Sequence, residues 1–312
     1  LTRLAPAAIV NATAFSAKGS DGQPSALDAA GCPVFQIALS TARRKDWAAA
    51  DRGLSPADLA MHVVLPEVDG RIFAGVASFK SPGTRDPDLQ YARFAHRADP
   101  ARVAAVADRV AGWHRLASTK PVDKAIALVL STYPGKDWQL AHAVGLDALA
   151  SAEAILSDIG TPAEGLGKAL SEAALEWPVA NYQTALATLP GPLRDALFAA
   201  WGDPEKDPSV SNGHFVFRAL RRGKALVALQ PERGEVKTRA DDYHDLSRTP
   251  RHTYVAFYLW LRSQGLHALV HIGAHGTLEW LPGKSVALSD TCWPEALTGD
   301  LPVIYPFIVN DP

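Results

Sequence analysis

Cysteine is nearly missing from this chain. Cys32 and Cys292 are the only two among 312 residues, and they form no CxxC pair. That argues against a disulfide scaffold or a thiolate zinc site and fits a reducing cytoplasm. A dominant charge is missing too. The 31 Lys and Arg against 33 Asp and Glu leave a net charge of -2 and a pI near 6.6, so nothing points to nucleic acid or a charged membrane surface. No apolar run reaches the roughly 18–20 residues of a membrane span, and no secretory leader is recognisable; a soluble protein is expected. A complete nucleotide-binding loop is also lacking. Gly283-Lys284-Ser285 looks like the end of a P-loop, but Leu278 occupies the position that must be glycine. Gly167-Lys168 fails as well, with Pro162 and Ala169 at the other required positions. The chain is therefore expected to hydrolyse no ATP by itself.

What is present is ordinary globular material, 47% hydrophobic and 21% charged. The length suffices for two domains at roughly 100–200 residues each. The chain begins at Leu1, and the stretch Ile304–Pro312 stops where a strand reads into a loop, so an internal piece of a longer chain is expected. Residues 8–15, 32–39, 62–66 and 71–76 read as short strands, the last two joined at Asp69-Gly70. From about Pro87 to Ser118 the pattern is helical, with Val103, Val106, Val110, Trp113 and Leu116 at spacings of three and four. Pro121 opens a second unit. Residues 124–132, 225–230 and 268–273 read as buried strands. Residues 146–159 and 251–265 read as helices, with a helical stretch continuing to about Trp201 and a polar loop at 203–213. Strands alternating with helices predict an α/β fold: two Rossmann-like units with parallel sheets, residues 1–120 (lacking its N-terminal part) and 121–312, with an intervening helical segment at about 146–201.

Three polar groups follow predicted strands, where open α/β sheets bind ligands. The richest is His271–Lys284, H-I-G-A-H-G-T-L-E-W-L-P-G-K. His271, His275 and Glu279 recur every fourth residue. A helix would put them on one face; a strand-loop-helix would bring them to one crevice. Imidazole suits cobalt or zinc, and imidazole and carboxylate both accept protons. The plainer reading is a histidine that hydrogen-bonds a neighbouring turn. The second group is Gln230, Arg233 and His252, in a locally basic region whose other cations read as solvated surface. His214 reads as a loop residue. The third runs from Ser131 to Asp147 and contains Tyr133, which could equally cap the core.

At these residues a resemblance becomes specific. His271–Lys284 resembles the central signature of the CobN and magnesium-chelatase large-subunit superfamily. Further blocks match in order: Asn11–Ala17 (NATAFSA), Leu65–Ile72 (LPEVDGRI), Ala143–Asp147 (AVGLD), Gln230–Gly234 (QPERG), Tyr243–Asp245 (YHD), His252–Leu261 (HTYVAFYLWL) and Leu301–Pro312 (LPVIYPFIVNDP). The QPERG and YPFIVNDP blocks resemble the cobalt branch rather than the magnesium branch. His142 and Ala148-Leu149 depart from the usual pattern around AVGLD.

The resemblance implies a chelatase-like fold and the tetrapyrrole-binding subunit of an ATP-dependent cobaltochelatase. Such an enzyme inserts Co(II) into hydrogenobyrinic acid a,c-diamide in cobalamin biosynthesis. AAA+ type partners, CobS and CobT, hydrolyse ATP with Mg, which agrees with the missing P-loop here. The alternatives are a magnesium-chelatase subunit acting on protoporphyrin IX and a non-catalytic tetrapyrrole- or metal-binding module. On this reading His271, His275 and Glu279 handle metal or protons, with Glu279 as general base. Arg233 and Lys284 grip ring carboxylates, Trp280 packs on the macrocycle, and Gln230, His252 and Tyr133 line the substrate site.

Overall fold

A computed structural model describes residues 3–18, 23–131, 142–143, 146–234, 246–273 and 278–305. The chain divides into two compact units, residues 1–114 with 283–289, and residues 115–282 with 290–312. The sequence reading drew one boundary at Pro121; the return of 283–289 to the first unit has no signal in local pattern.

In the first unit, β1 (Ile9–Asn11), β2 (Val34–Ser40) and β3 (Ile72–Asp86) pair in parallel, and β4 (Tyr91–Ala98) returns antiparallel along β3. α1 (Arg44–Ala49) follows β2. Between β2 and β3 the chain is helical: α2 (Pro56–Leu59), a π-type turn Ala60–Val64, and α3 (Leu65–Val68). This corrects the expected strand at 62–66. Ser55 caps Asp58 N at 3.1 Å and Pro56 sits in the first turn, so start signals outweigh the β-branched run. α4 (Pro100–Ser118) begins later than expected. Asp99 caps it by accepting from Arg102 N at 3.1 Å, and residues 91–98 upstream belong to the hairpin. The sheet buries Phe35 and Ala74 against Val106 of α4, and Ala38, Val76 and Phe79 on its other side with Trp47 of α1.

Residues 283–289 dock within this unit. Ser285 N donates to Asp51 O at 2.8 Å, and Trp47 Nε1 to Ala287 O at 3.0 Å. The fit requires glycine at 53, where an added Cβ would stand 1.9 Å from the Val286 carbonyl oxygen.

In the second unit, β5 (Ile126–Leu130) leads to a small hairpin, β6 (His142–Ala143) and β7 (Leu146–Asp147). α5 (Ala148–Asp158) and α6 (Leu166–Glu172) follow. Next come β8 (Leu175–Pro178), α7 (Val179–Leu186), α8 (Gly191–Trp201), β9 (Val210–Ser211), β10 (His214–Phe217), β11 (Ala219–Arg222) and β12 (Ala225–Leu229). α9 (His252–Arg262), β13 (Ala268–Ile272), α10 (Trp293–Thr298) and β14 (Val303–Ile304) complete it. The expected helical stretch is thus interrupted by β8, which pairs antiparallel with β10 and carries Pro178 at its end, where a helix interior would not tolerate it. His214 is the first residue of β10 rather than a loop residue.

The main sheet has the order β11-β12-β5-β13-β14, with β11 antiparallel and the rest parallel. β12, β5 and β13 are buried at every residue, because both faces are covered. On one face Ala127, Val129, Leu226, Ala228 and Leu269 meet α9; on the other Leu128, Val227 and Val270 meet Leu156 and Leu170 of α5 and α6. α9 is itself covered from behind by α7, α8 and β10, through Tyr182, Leu197 and Phe215. β5 precedes both of its neighbours in the chain, and β12 reaches β13 by crossing β5 through α9. The order of connections therefore reverses between β5 and β13, which is where open α/β sheets bind ligands beyond the carboxyl ends of their strands. Among the described residues no helix is long and apolar enough to cross a membrane.

Candidate active site

The carboxyl edge of the second sheet carries polar residues in register. Gln230 N donates to Leu130 O at 2.9 Å and Ser131 N to Ile272 O at 3.1 Å, so the backbones of β12, β5 and β13 stay tied just past their last residues. By strand alternation, Gln230, Ser131 and His271 lie on the face that meets α9. α9 supplies two tyrosines four residues apart, Tyr254 and Tyr258, with ring centroids 5.1 Å from each other. Gln230 Nε2 donates to Tyr254 OH at 3.0 Å and to Tyr258 OH at 2.8 Å. Tyr258 OH lies 3.2 Å from His271 Nε2, and Tyr305 packs edge-on against the His271 ring.

These groups are buried and neutral. His271 is 2% exposed, and burial pushes its pKa down to about 4, so it carries no charge at neutral pH. Burial pushes the Tyr258 phenol well above its usual value; Tyr254 and the Glu279 charge add to the shift. The Ser131 hydroxyl is buried and has no hydrogen-bond partner among the described residues. A buried hydroxyl in that state calls for an explanation, and a bound ligand or water is one.

Glu279 lies on an exposed face of a short 3-10 turn, Leu278–Trp280. That turn is fastened from below: the buried Arg233 guanidinium donates to the Trp280 carbonyl, and the Arg233 carbonyl accepts from Arg251 N at 2.9 Å. Arg233 thus links the end of β12, the start of α9 and the turn carrying Glu279.

The predicted residues separate into two sets. Gln230, Arg233, His271, Glu279 and Trp280 are brought together at this edge of one unit. His252 and Lys284 are placed elsewhere. His252 Nδ1 lies 2.7 Å from Tyr182 OH and Nε2 lies 2.9 Å from Gly202 O, so both ring nitrogens are engaged inside the core. Burial lowers its pKa against the pull of the Gly202 carbonyl and the carboxylates nearby. The start of α9 is likewise occupied, since Asp207 Oδ2 accepts from Thr253 N at 3.2 Å. Lys284 belongs to the first unit. Its ammonium donates to Ala48 O at 3.0 Å and Ala50 O at 2.7 Å, closing the carboxyl end of α1, and it lies over the Trp47 ring. His275 and Tyr133 fall outside the described residues. Among the described residues no group of three or more His, Cys, Asp or Glu converges as a metal ion would require. Sequence reasoning did not single out Tyr254 or Tyr258, and took Ser131 only as the start of the third polar group. The signal for the tyrosines was their spacing of four, opposite a histidine-bearing strand end.

A family model described as CobN/Magnesium Chelatase matches residues 2–312. The chain is similar to the aerobic cobaltochelatase subunit CobN of a Sinorhizobium species, at 39% identity over 99% of this chain and 26% of that protein. It is as similar to the protein of the same name from Pseudomonas aeruginosa, at 39% identity over 100% of this chain and 27% of that one. Among solved structures it resembles the catalytic subunit of cobaltochelatase from Mycobacterium tuberculosis, with a TM-score of 0.83 and 36% identity, over 99% of this chain and 29% of that one. The chain spans about a quarter of the length of these relatives. With the family model covering nearly all of it, the chain belongs to the CobN/magnesium chelatase family.

Proposed function

We propose that the carboxyl edge of the second sheet binds a tetrapyrrole and takes part in ATP-dependent insertion of Co(II) into it, within a complete cobaltochelatase. Both relatives named above are cobaltochelatase subunits, which favours cobalt over magnesium. The observation that carries the reading is the pairing of an exposed carboxylate, Glu279, with a buried neutral polar cluster at the switch point of a parallel sheet. Metal insertion must remove protons from the ring nitrogens, and an exposed carboxylate held on a fixed turn can accept one. Arg233 holds that turn through the Trp280 carbonyl, so it acts by positioning rather than by gripping ring carboxylates. Trp280 is half-buried and offers an aromatic surface beside the base. His275, in the same signature, completes the set that would present cobalt.

Energy for the step comes from elsewhere on this reading. The chain carries no complete P-loop, so AAA+ type partners of the CobS and CobT kind would hydrolyse ATP with Mg. The test is a titration of the complete protein with hydrogenobyrinic acid a,c-diamide and with protoporphyrin IX. Preferential binding of the corrin precursor is expected. Equal or reversed preference would return the chain to the magnesium branch, and no binding of either ring would defeat the reading.

A further inference from the structure

We propose that the apolar groove between α4 and the β1 edge of the first unit is the seat of a helix supplied by the rest of the complete chain, from outside these 312 residues. This goes beyond the tetrapyrrole reading and does not depend on it.

α4 lies chiefly over β2 and β3. Its Val106, Val110 and Trp113 pack with Phe35 and Ala74, and the Phe35 and Trp113 ring centroids are 6.5 Å apart. Arg109 fastens the same side of the helix to the Ala74 carbonyl. The sheet face continues past α4, through Ile37 of β2 to Ala8 and Val10, as the floor of an open groove of about 500 Å3. Val103, Ala107 and Ala111, at spacings of four along α4, form its wall. His114, at one end, is the only polar side chain that lines it. Val10 is 49% exposed and Val103 43%, so apolar surface on both sides of the groove meets solvent.

Two features make this face incomplete. β1, β2 and β3 are parallel, and strands of parallel sheets are normally covered on both faces. The opposite face is covered, by Trp47 of α1 among others. β1 also stands at the end of the sheet, with no strand beyond it among the described residues, and a bare edge invites pairing.

Shape and size select the occupant. From Val103 to His114 α4 rises about 16 Å, or three turns. Helices packed side by side have axes about 8–10 Å apart, roughly two strand spacings of about 4.8 Å. A helix beside α4 therefore lies over β1 and its outer edge, where Val10 is bare. A second copy fits poorly, because a two-fold contact would set the groove against itself, and two concave surfaces leave the space between them empty. A small apolar ligand would find no polar group except His114 to orient it. The chain covers 26% and 27% of the two named relatives and 29% of the solved structure, so about three quarters of such a protein is available to supply the helix.

The experiment uses the complete protein without its ATPase partners, diluted until it is monomeric. Thiol labelling of Val10→Cys and Val103→Cys, followed peptide by peptide, should be slower than in urea by about 100-fold or more, as for a site that opens only by local unfolding. A smaller slowing means an open groove and overturns the proposal. Protection that appears only at high concentration, or only with the ATPase partners, overturns it as well. An aliphatic diazirine residue in place of Val103, and separately of Val10, then identifies the occupant. Irradiation should capture a peptide of the same chain outside residues 1–312, at sites three or four residues apart. Capture at alternate residues would make the occupant a strand. That result, capture within residues 1–312, capture of another chain, or no capture overturns the proposal. The ring titration is independent of all these outcomes, so the tetrapyrrole reading stands or falls separately.

Discussion

Each unit buries a polar cluster, and the two clusters differ in how they end. In the first unit, Arg71 bridges Asp69 at 2.9 Å and Gln36 at 3.0 Å. Gln36 accepts from Asn11 at 2.8 Å, and Asp69 accepts from Ser16 Oγ at 2.5 Å and Ala17 N at 2.6 Å. One charge of each sign is matched, and the donors and acceptors close on one another. The blocks NATAFSA and LPEVDGRI supply most of these residues, which gives that pair of motifs a structural reason. In the second unit Gln230, Tyr254, Tyr258 and His271 carry no charge, and Ser131 beside them has no partner among the described residues. A closed cluster specifies a fold; a neutral one with a donor left over at a sheet edge is prepared for something that arrives later.

The largest effect that would sharpen this contrast is on chemistry. In the complete protein, Glu279→Gln should cut cobalt insertion by roughly 100- to 10,000-fold with ring affinity retained, because the amide keeps shape but accepts no proton. Collapse of ring affinity with normal turnover would make Glu279 a binding residue. Removing a charge from the closed cluster should act on stability instead. Asp69→Asn strands the buried Arg71 and should cost about 3–5 kcal/mol in denaturant titration, with no selective effect on insertion by the protein that still folds. An equal loss of specific activity per folded molecule would break the distinction.

Acid should separate the clusters as well. The folded-state pKa of His271 is depressed from 6.5 to about 4, so the unfolded chain takes up a proton first. Its contribution, roughly 3 kcal/mol, is full above pH 6.5 and is lost as pH falls toward 4. Burial would raise the Asp69 pKa, but the bonds from Ser16 and Ala17 and the Arg71 charge outweigh it and hold it below 3.8. That contribution survives until pH falls below 3.8 and is then lost. Urea titrations across both windows should show the upper loss vanish in His271→Asn and the lower one remain. The smallest effect expected is at Lys284. Lys284→Met removes a charge from the carboxyl end of α1 and should cost about 0.3–1 kcal/mol, leaving ring affinity unchanged. A marked loss of affinity would restore its expected role on ring carboxylates.

The parts of this molecule legible in sequence are those whose local pattern and tertiary setting agree. β5, β12 and β13 are continuous apolar runs because both faces are covered, and that pattern also placed His271 in β13 and Gln230 and Arg233 just past β12. The run 62–66 misled because its β-branched residues suit a strand while Ser55 and Pro56 start a helix. Residues 91–98 misled because a hairpin borders a long helix without an obvious break. Tyr254 and Tyr258 were hidden in α9, where HTYVAFYLWL reads as uniform core. Lys284 was illegible in principle, since its partners Ala48 and Ala50 lie 236 and 234 residues away. The same holds for His252, whose nitrogens are engaged by Tyr182 and Gly202.

α9 buries ten of its eleven residues, from His252 to Leu261. A helix enclosed on all sides has no face on which substitutions are free, because each side chain fills a space shaped by neighbours on a different element. Its amides should be among the last to exchange with deuterium, at the limit set by unfolding of the whole unit. For heritable change this makes α9 a constraint: Tyr254 and Tyr258 cannot drift singly, since any replacement must be matched in the sheet on one side and in α7, α8 or β10 on the other. Change in such a protein would then accumulate outside α9, with the tyrosine pair held fixed.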